Sequence, residues 1–372
     1  MTSQPTGFIN GLELCEAFYR EAVEPILTQG FPGLSYAAAL IGDGSEVLGY
    51  DTEMSTDHHW GPRVLLFVSA ADKAKFETSI TKALSEKLPR KFKGYPTGYL
   101  ASEATDDIAN EIQMLDYSED GPIHHRVEII TIKEFIDGYL GFDIDKEISA
   151  IDWLTIPEQK LLSTTSGRIF HDDIALRQII NRFAYYPHDV WLYLLASAWS
   201  SIEQEEHLMG RAGDVGDEIG SAIIAARLVQ NLMRLCFLME KRYAPYPKWF
   251  GSAFKSLAVA PTLSPMLKKV LCATTWKERD KYLSPAYECV AKLHNQLNIT
   301  EPMPTAVAQF HSRPYMVISM GAFSNAIRAK ITDPELRAIT NKPLVGSVDQ
   351  FSSSTDLKAD SKWRQALGKL YE

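Results

Sequence analysis

No cysteine framework runs through this chain. Its four cysteines, Cys15, Cys236, Cys272 and Cys289, are scattered with no C-x-x-C pair. That argues against a disulfide scaffold and fits reduced, buried thiols in a cytoplasmic protein. The N-terminus has no basic-then-apolar leader, and no apolar run nears the ~20 residues that span a bilayer, so no membrane is expected. Positive charge is also scarce: 38 Lys and Arg against 47 Asp and Glu give a net charge of −9. Phosphate backbones recruit clustered Lys and Arg, so general nucleic-acid binding is not expected, whereas a single nucleotide needs only a local basic pocket. G-x-S-x-G, Walker and Rossmann glycine patterns are absent too. What the chain does have is length and apolar content. Its 372 residues point to two domains, and a 45% hydrophobic fraction is ample for a sizeable core.

The most informative stretch is Leu40 to Val68, LIGDGSEVLGYDTEMSTDHHWGPRVLLFV. Apolar runs at Tyr36–Ile41 and Val64–Val68, bounded by glycine, read as buried strands. Between them Gly44-Ser45 makes a turn whose backbone N–H groups and hydroxyl suit a phosphate. If a strand continues through Asp57 and His59, both side chains project from one face, because strand side chains alternate. A later run, His124 to Ile132, reads as a strand with Arg126, Glu128 and Ile130 on one face. Asp57, His59 and Glu128 are therefore a candidate metal site, with Mg²⁺ favoured by oxygen ligands and Mn²⁺ or Zn²⁺ by an imidazole. The plain alternative is a polar turn before an edge strand. The pairs His58-His59 and His124-His125 also permit a hydrolytic zinc centre, although adjacent strand residues face opposite ways, so each pair offers one ligand at most.

Along the chain, Met1–Asn10 reads as a lead-in and Gly11–Gln29 as an amphipathic helix. A strand is expected at Arg63–Ser69, a helix at Ala71–Leu88, and a basic, Gly- and Pro-broken loop at Lys87–Tyr99 that is either a solvated loop or a substrate flap. Asp116–Pro122 reads as a turn, Lys133–Tyr139 as a helix and Gly141–Asp152 as a linker. From Trp153 the pattern becomes helical. A short helix is expected at Pro157–Leu162, a connector at Gly167–Asp172 and a helix at Asp173–Ala184. Long bundle helices follow at His188–Met209 and Asp214–Tyr243, the latter with the face Ile219, Ile223, Ala226, Val229, Met233, Cys236 and Phe237. Further helices are expected at Ser264–Cys272, Thr275–Leu297, Met320–Ile331 and Asp333–Ile339, with a terminal one from Ser361.

The Gly44-Ser45 turn, Gly49, Asp57-x-His59 and the later Glu128 together resemble the polymerase β-like nucleotidyltransferases, which include the small antibiotic nucleotidyltransferases. The fuller runs GYDTEMSTDHHWGPR, DWLTIPEQKLLSTTSGRIFHD and RYAPYPKWFGSAF look like an uncharacterised nucleotidyltransferase-like family, over most of the chain. The resemblance implies an α+β protein: a nucleotidyltransferase domain with a mixed sheet over 1–150, then an all-helical bundle over 151–372. It implies a metal-dependent transfer of an NMP from an NTP to a hydroxyl of a small-molecule acceptor, with pyrophosphate released. Gly44, Ser45 and Arg63 would hold phosphates, and Arg211, Arg242 and Lys248 would grip them from the helical part. Asp57, His59 and Glu128 would hold Mg²⁺ or Mn²⁺, with Asp57 and Glu128 catalytic, while Tyr243 or Trp249 stacks on the base. His59 departs from the family's second acid, so either Asp51 or Glu53 supplies the missing charge, or a single or softer metal is used, or the chain binds nucleotide without turnover. Acids at Asp214, Asp217 and Glu218 are equally well explained as caps of the following helix. Acceptor, choice of NTP and oligomeric state stay open.

Overall fold

The computed structural model describes residues 7–106, 110–117 and 120–372, with the backbone alone over 101–106 and 110–113. The Met1–Asn10 lead-in is thus described only from Gly7, and residues 118 and 119 of the Asp116–Pro122 turn lie outside the described residues. The chain forms two compact units. Met1–Glu147, Lys160–Ala184 and Ser354–Arg364 make the first; Ile148–Gln159, Tyr185–Ser353 and Gln365–Glu372 make the second.

The first unit is built on a mixed four-stranded sheet. We label its strands β1 (Tyr36–Leu40), β2 (Arg63–Val68), β3 (Arg126–Ile130) and β4 (Arg168–Asp172). Their order is β3-β2-β1-β4. β1 runs antiparallel to β2 and to β4, and β2 runs parallel to β3. β1 is YAAAL and buried throughout, because its small side chains admit close cover on both faces. One face carries Ala38, Leu40, Val64, Leu66, Val127 and Ile129 into a core with Leu14, Phe18 and Tyr19 of the N-terminal helices. Those helices form one continuous rod over residues 11–30 with a π-turn at Tyr19–Val23. The other face carries Arg63, Leu65 and Phe67 of β2 and Arg126 and Glu128 of β3, with Phe135 of the helix Ile132–Leu140 edge-on to Phe67.

Two sequence expectations change here. The Gly167–Asp172 connector is β4, an edge strand whose pairing with β1 slips at Ala38/Ala39. The basic loop Lys87–Tyr99 folds into the short paired segments Lys91–Phe92 and Tyr95–Pro96. Phe92 and Tyr95 sit in the core, so this segment is a packed clip and not a flap.

The second unit is helical. His188–Asp214 and Glu218–Met239 are its long helices, packed on Ala260–Cys272 and Trp276–Gln296. The first runs through Gly210 and Gly213 unbroken. A Cβ at these positions would lie 2.6 Å from the Tyr315 side chain and 2.2 Å from that of Trp276, so these glycines admit two rings against the helix. Glu218–Met239 buries Ser221, Ala225, Leu228 and Leu232; of the expected face Val229, Cys236 and Phe237 are buried, whereas Ile219 and Ile223 near its start are exposed. A helix apolar on most sides leaves its rotation to its neighbours. Here Arg279, buried, fixes it by donating to Glu218 at 2.6 Å and to Ser221 at 3.1 Å. By length and composition this helix would also pass for a membrane span, but half of the qualifying window is buried inside the protein.

Candidate functional site

Because β2 and β3 are parallel, their register places Arg63 beside Arg126 and Leu65 beside Glu128. Strands in a sheet lie about 4.8 Å apart, so two guanidinium stems leave the same face side by side. Such an arrangement needs a counter-charge. Glu46, in the turn after β1, supplies it: Arg63 Nε and Nη2 donate to Glu46 Oε1 at 2.9 and 2.6 Å, and Nη2 also donates to the Asp43 carbonyl. Glu46 is 2% exposed and Arg63 9%. Burial alone would lower the Arg63 pKa, but the Glu46 carboxylate outweighs it and the pKa is raised.

This ion pair explains Gly44. At φ +133° a Cβ there would stand 2.4 Å from Arg63 Nη2 and 2.6 Å from Glu46 Oε2. The glycine therefore serves the closure of Arg63 and Glu46 onto the turn, and the phosphate role expected of Gly44 and Arg63 gives way to this internal pair. Ser45, half-buried, accepts Tyr50 N through its carbonyl at 2.9 Å.

Arg126 is placed differently. Its Nη1 donates to the His59 carbonyl at 2.9 Å, and its guanidinium lies over the Tyr99 ring, 5.3 Å from the centroid. Among the described residues no carboxylate comes within 4 Å of it. Burial, and then the neighbouring Arg63, lower its pKa. Arg126 and Glu128 line a pocket of about 300 Å³ together with Leu40, Arg63, Leu65 and His125. Val127 N donates to His125 Nδ1 at 3.1 Å, while Nε2 faces the Thr81 carbonyl at 3.2 Å. These partners assign the proton to Nε2 of a neutral ring, and burial lowers its pKa further. His125 therefore braces the start of β3.

The two stretches singled out in the sequence do meet, but through a guanidinium on a carbonyl and not through converging acids. No strand passes through Asp57 and His59. Glu53–Asp57 is a 3₁₀ turn held by a capping box of Thr52 and Ser55, and His59 has φ +54°. Ser, Thr and Asp side chains favour such local turns over extended pairing. Asp57 is exposed and binds its neighbour, taking His58 N at 3.0 Å and His58 Nδ1 at 2.9 Å. Among the described residues no three His, Cys, Asp or Glu side chains are grouped to hold a metal. The expected set of Asp57, His59 and Glu128 is not assembled, nor is the zinc alternative from the histidine pairs. The expected donor set for Mg²⁺ or Mn²⁺ is therefore not in place among the described residues.

Asp51 cannot replace the missing acid. It is buried and accepts Asn10 Nδ2 at 2.6 Å, Gly11 N at 2.7 Å and Trp60 Nε1 at 3.0 Å. It thereby clasps the start of the first helix to the loop before β2. Asp51→Asn, which turns an acceptor group partly into a donor facing donors, is expected to destabilise the protein by about 2–3 kcal/mol. A urea unfolding midpoint equal to wild type would refute that role.

In the helical unit, Arg211, Arg242 and Lys248 are all exposed. Arg211 lies just before the 22-residue helix Glu218–Met239 and Arg242 just after it, so about 30 Å of helix rise separates them. One grip on a triphosphate by all three is thereby excluded. Arg242 donates to the Ser256 carbonyl at 3.3 Å, and Lys248 lies over Trp249. Tyr243 is buried against Tyr185 and Tyr186, which makes it a core residue and not a base platform. The acids are structural as well. Asp217 caps its helix through Gly220 N at 2.7 Å, and Glu205 pairs with Arg227. Buried Glu206 accepts Ile318 N and Met320 N. Arg126 is the residue that sequence reasoning undervalued. Its alternation with Glu128 was visible, but its lack of a carboxylate partner was not.

The fold and site together define a mixed α+β protein with an arginine-lined pocket at the sheet and a helical second unit. Residues 153–250 match a family described as "Domain of unknown function (DUF4037)". The chain is similar to a nucleotidyltransferase-like protein from Exiguobacterium sibiricum 255-15, at 8% identity and a TM-score of 0.31, covering 94% of this chain and 88% of that one. No curated protein matches.

Proposed function

We propose that this chain is a nucleotide-binding protein of the nucleotidyltransferase type. It takes the phosphates of a nucleoside triphosphate beside β2 and β3 and transfers the NMP to a hydroxyl of a small-molecule acceptor. The observation that carries the reading is the pocket that sets Arg126 and Glu128 on one face of β3, two residues apart. A guanidinium offers planar paired donors to phosphate oxygens. In this reading the Glu128 carboxylate, about 7 Å along the strand, takes the proton of an attacking hydroxyl. The acceptor oxygen then bonds to the α-phosphorus, the α–β bridging bond breaks, and pyrophosphate leaves.

A second reading, binding without transfer, is favoured by the Asp57–His58 pair and the dispersed acids. The test is incubation with each labelled NTP and a metabolite extract, with Mg²⁺, with Mn²⁺ and with neither. Pyrophosphate release that falls at least about 100-fold in Glu128→Gln supports transfer. NTP binding with no release in any mixture supports the second reading, and no binding of any NTP overturns both.

A further inference from the structure

We propose that the pocket at the start of β2 and β3 binds the polyphosphate part of its ligand without a metal, with the Arg126 guanidinium in the place a cation would take. This rests on the nucleotide reading only in its choice of natural ligand. Four observations converge on it. Arg126 is already oriented: the His59 carbonyl at 2.9 Å holds one side and the Tyr99 ring, 5.3 Å away, supports its plane. Preorganisation of this kind removes much of the ordering penalty of binding. Its only acceptor among the described residues meets Nη1, so donors on Nε and Nη2 remain for a ligand. The adjacent Arg63 is neutralised by Glu46 at 2.6 Å. The fixed positive charge of the pair therefore resides on Arg126. A pocket of about 300 Å³ is at the small end of ligand sites, suited to phosphate groups more than to a whole nucleotide.

Glu128 opposes an anion in this pocket, and that gives the proposal a signed consequence. Glu128→Gln removes a negative charge about 7 Å from Arg126 along the strand and should strengthen anion binding. The same substitution abolishes transfer under the reading above, so the two roles separate in one variant.

The probe is inorganic tripolyphosphate, titrated calorimetrically into the full chain in EDTA and again with excess Mg²⁺. Binding in EDTA is expected to be at least as tight as with Mg²⁺, and to weaken as salt rises. Arg126→Ala should weaken it by about 10- to 100-fold. Arg126→Lys, which keeps the charge but loses the planar fork, should fall between the two, and thermal melts of both variants confirm folding. If Arg126→Ala fails to fold, the lysine variant decides alone: unchanged affinity overturns the proposal. Binding that disappears in EDTA and returns with Mg²⁺ also overturns it, as does no binding in either buffer. Tripolyphosphate binding without affinity for any NTP upholds this site while refuting the nucleotide reading.

Discussion

Replacing Arg63 by alanine is expected to destabilise the protein by about 3–5 kcal/mol, the usual result of stripping one partner from a buried ion pair. Glu46 is 2% exposed, and its Oε1 takes both contacts from Arg63. Without Arg63 the carboxylate is left buried without its ion-pair partner, beside the Gly44 turn that had closed on it. Arg126, its register partner on β3, would lose a like-charged neighbour at the same time. The paired replacement Arg63→Met with Glu46→Leu is expected to recover most of the loss, because it removes both charges and keeps the volume. Urea unfolding midpoints of the two variants check this. A single mutant within about 1 kcal/mol of wild type would show that Glu46 reaches solvent once Arg63 is gone.

The second large effect is expected in the helical unit, at Trp199. This side chain is fully buried and stacked on Phe323 with centroids 4.1 Å apart. Trp199→Ala should cost about 3–5 kcal/mol from lost burial and the cavity left behind. Trp199→Phe is the informative partner. The indole Nε1 has no acceptor among the described residues, so phenylalanine removes an unsatisfied donor along with some volume. Its cost should stay under about 1.5 kcal/mol. Equal, large losses for both variants in thermal denaturation would mean that the indole N–H finds a bridging water that matters.

Much of this architecture could be read from the residues. β1 and β2 are apolar runs closed by glycine, and β3 follows the alternation of Arg126, Val127, Glu128 and Ile129. The long helices of the second unit were found to within a few residues, since an extended 3.6-residue period is hard to mistake. β4 was missed because Arg168–Asp172 holds only Ile169 and Phe170 as apolar residues. Such a segment is a strand only because the edge of β1 is there to pair with it. The first turns of Glu218–Met239 face in differently from the expectation because apolar residues surround most of that helix, and a distant arginine, Arg279, settles which side faces in there.

At the candidate site, the stretches Leu40–Val68 and His124–Ile132 stood out from sequence alone, and their internal arrangement did not. Gly44 read as a phosphate-binding glycine, but it meets an ion pair whose members lie 17 residues apart. Asp57, His59 and Glu128 read as a metal set, but a local hydrogen-bonded turn draws Asp57 to His58. Periodicity and turn chemistry act over a few neighbouring residues, so the sequence by itself determined β1, β2, β3 and the long helices. Charge pairing and burial act through space between residues far apart in the chain. Only the tertiary structure could therefore decide that Arg63 is neutralised by Glu46 and that Arg126 has no carboxylate beside it among the described residues.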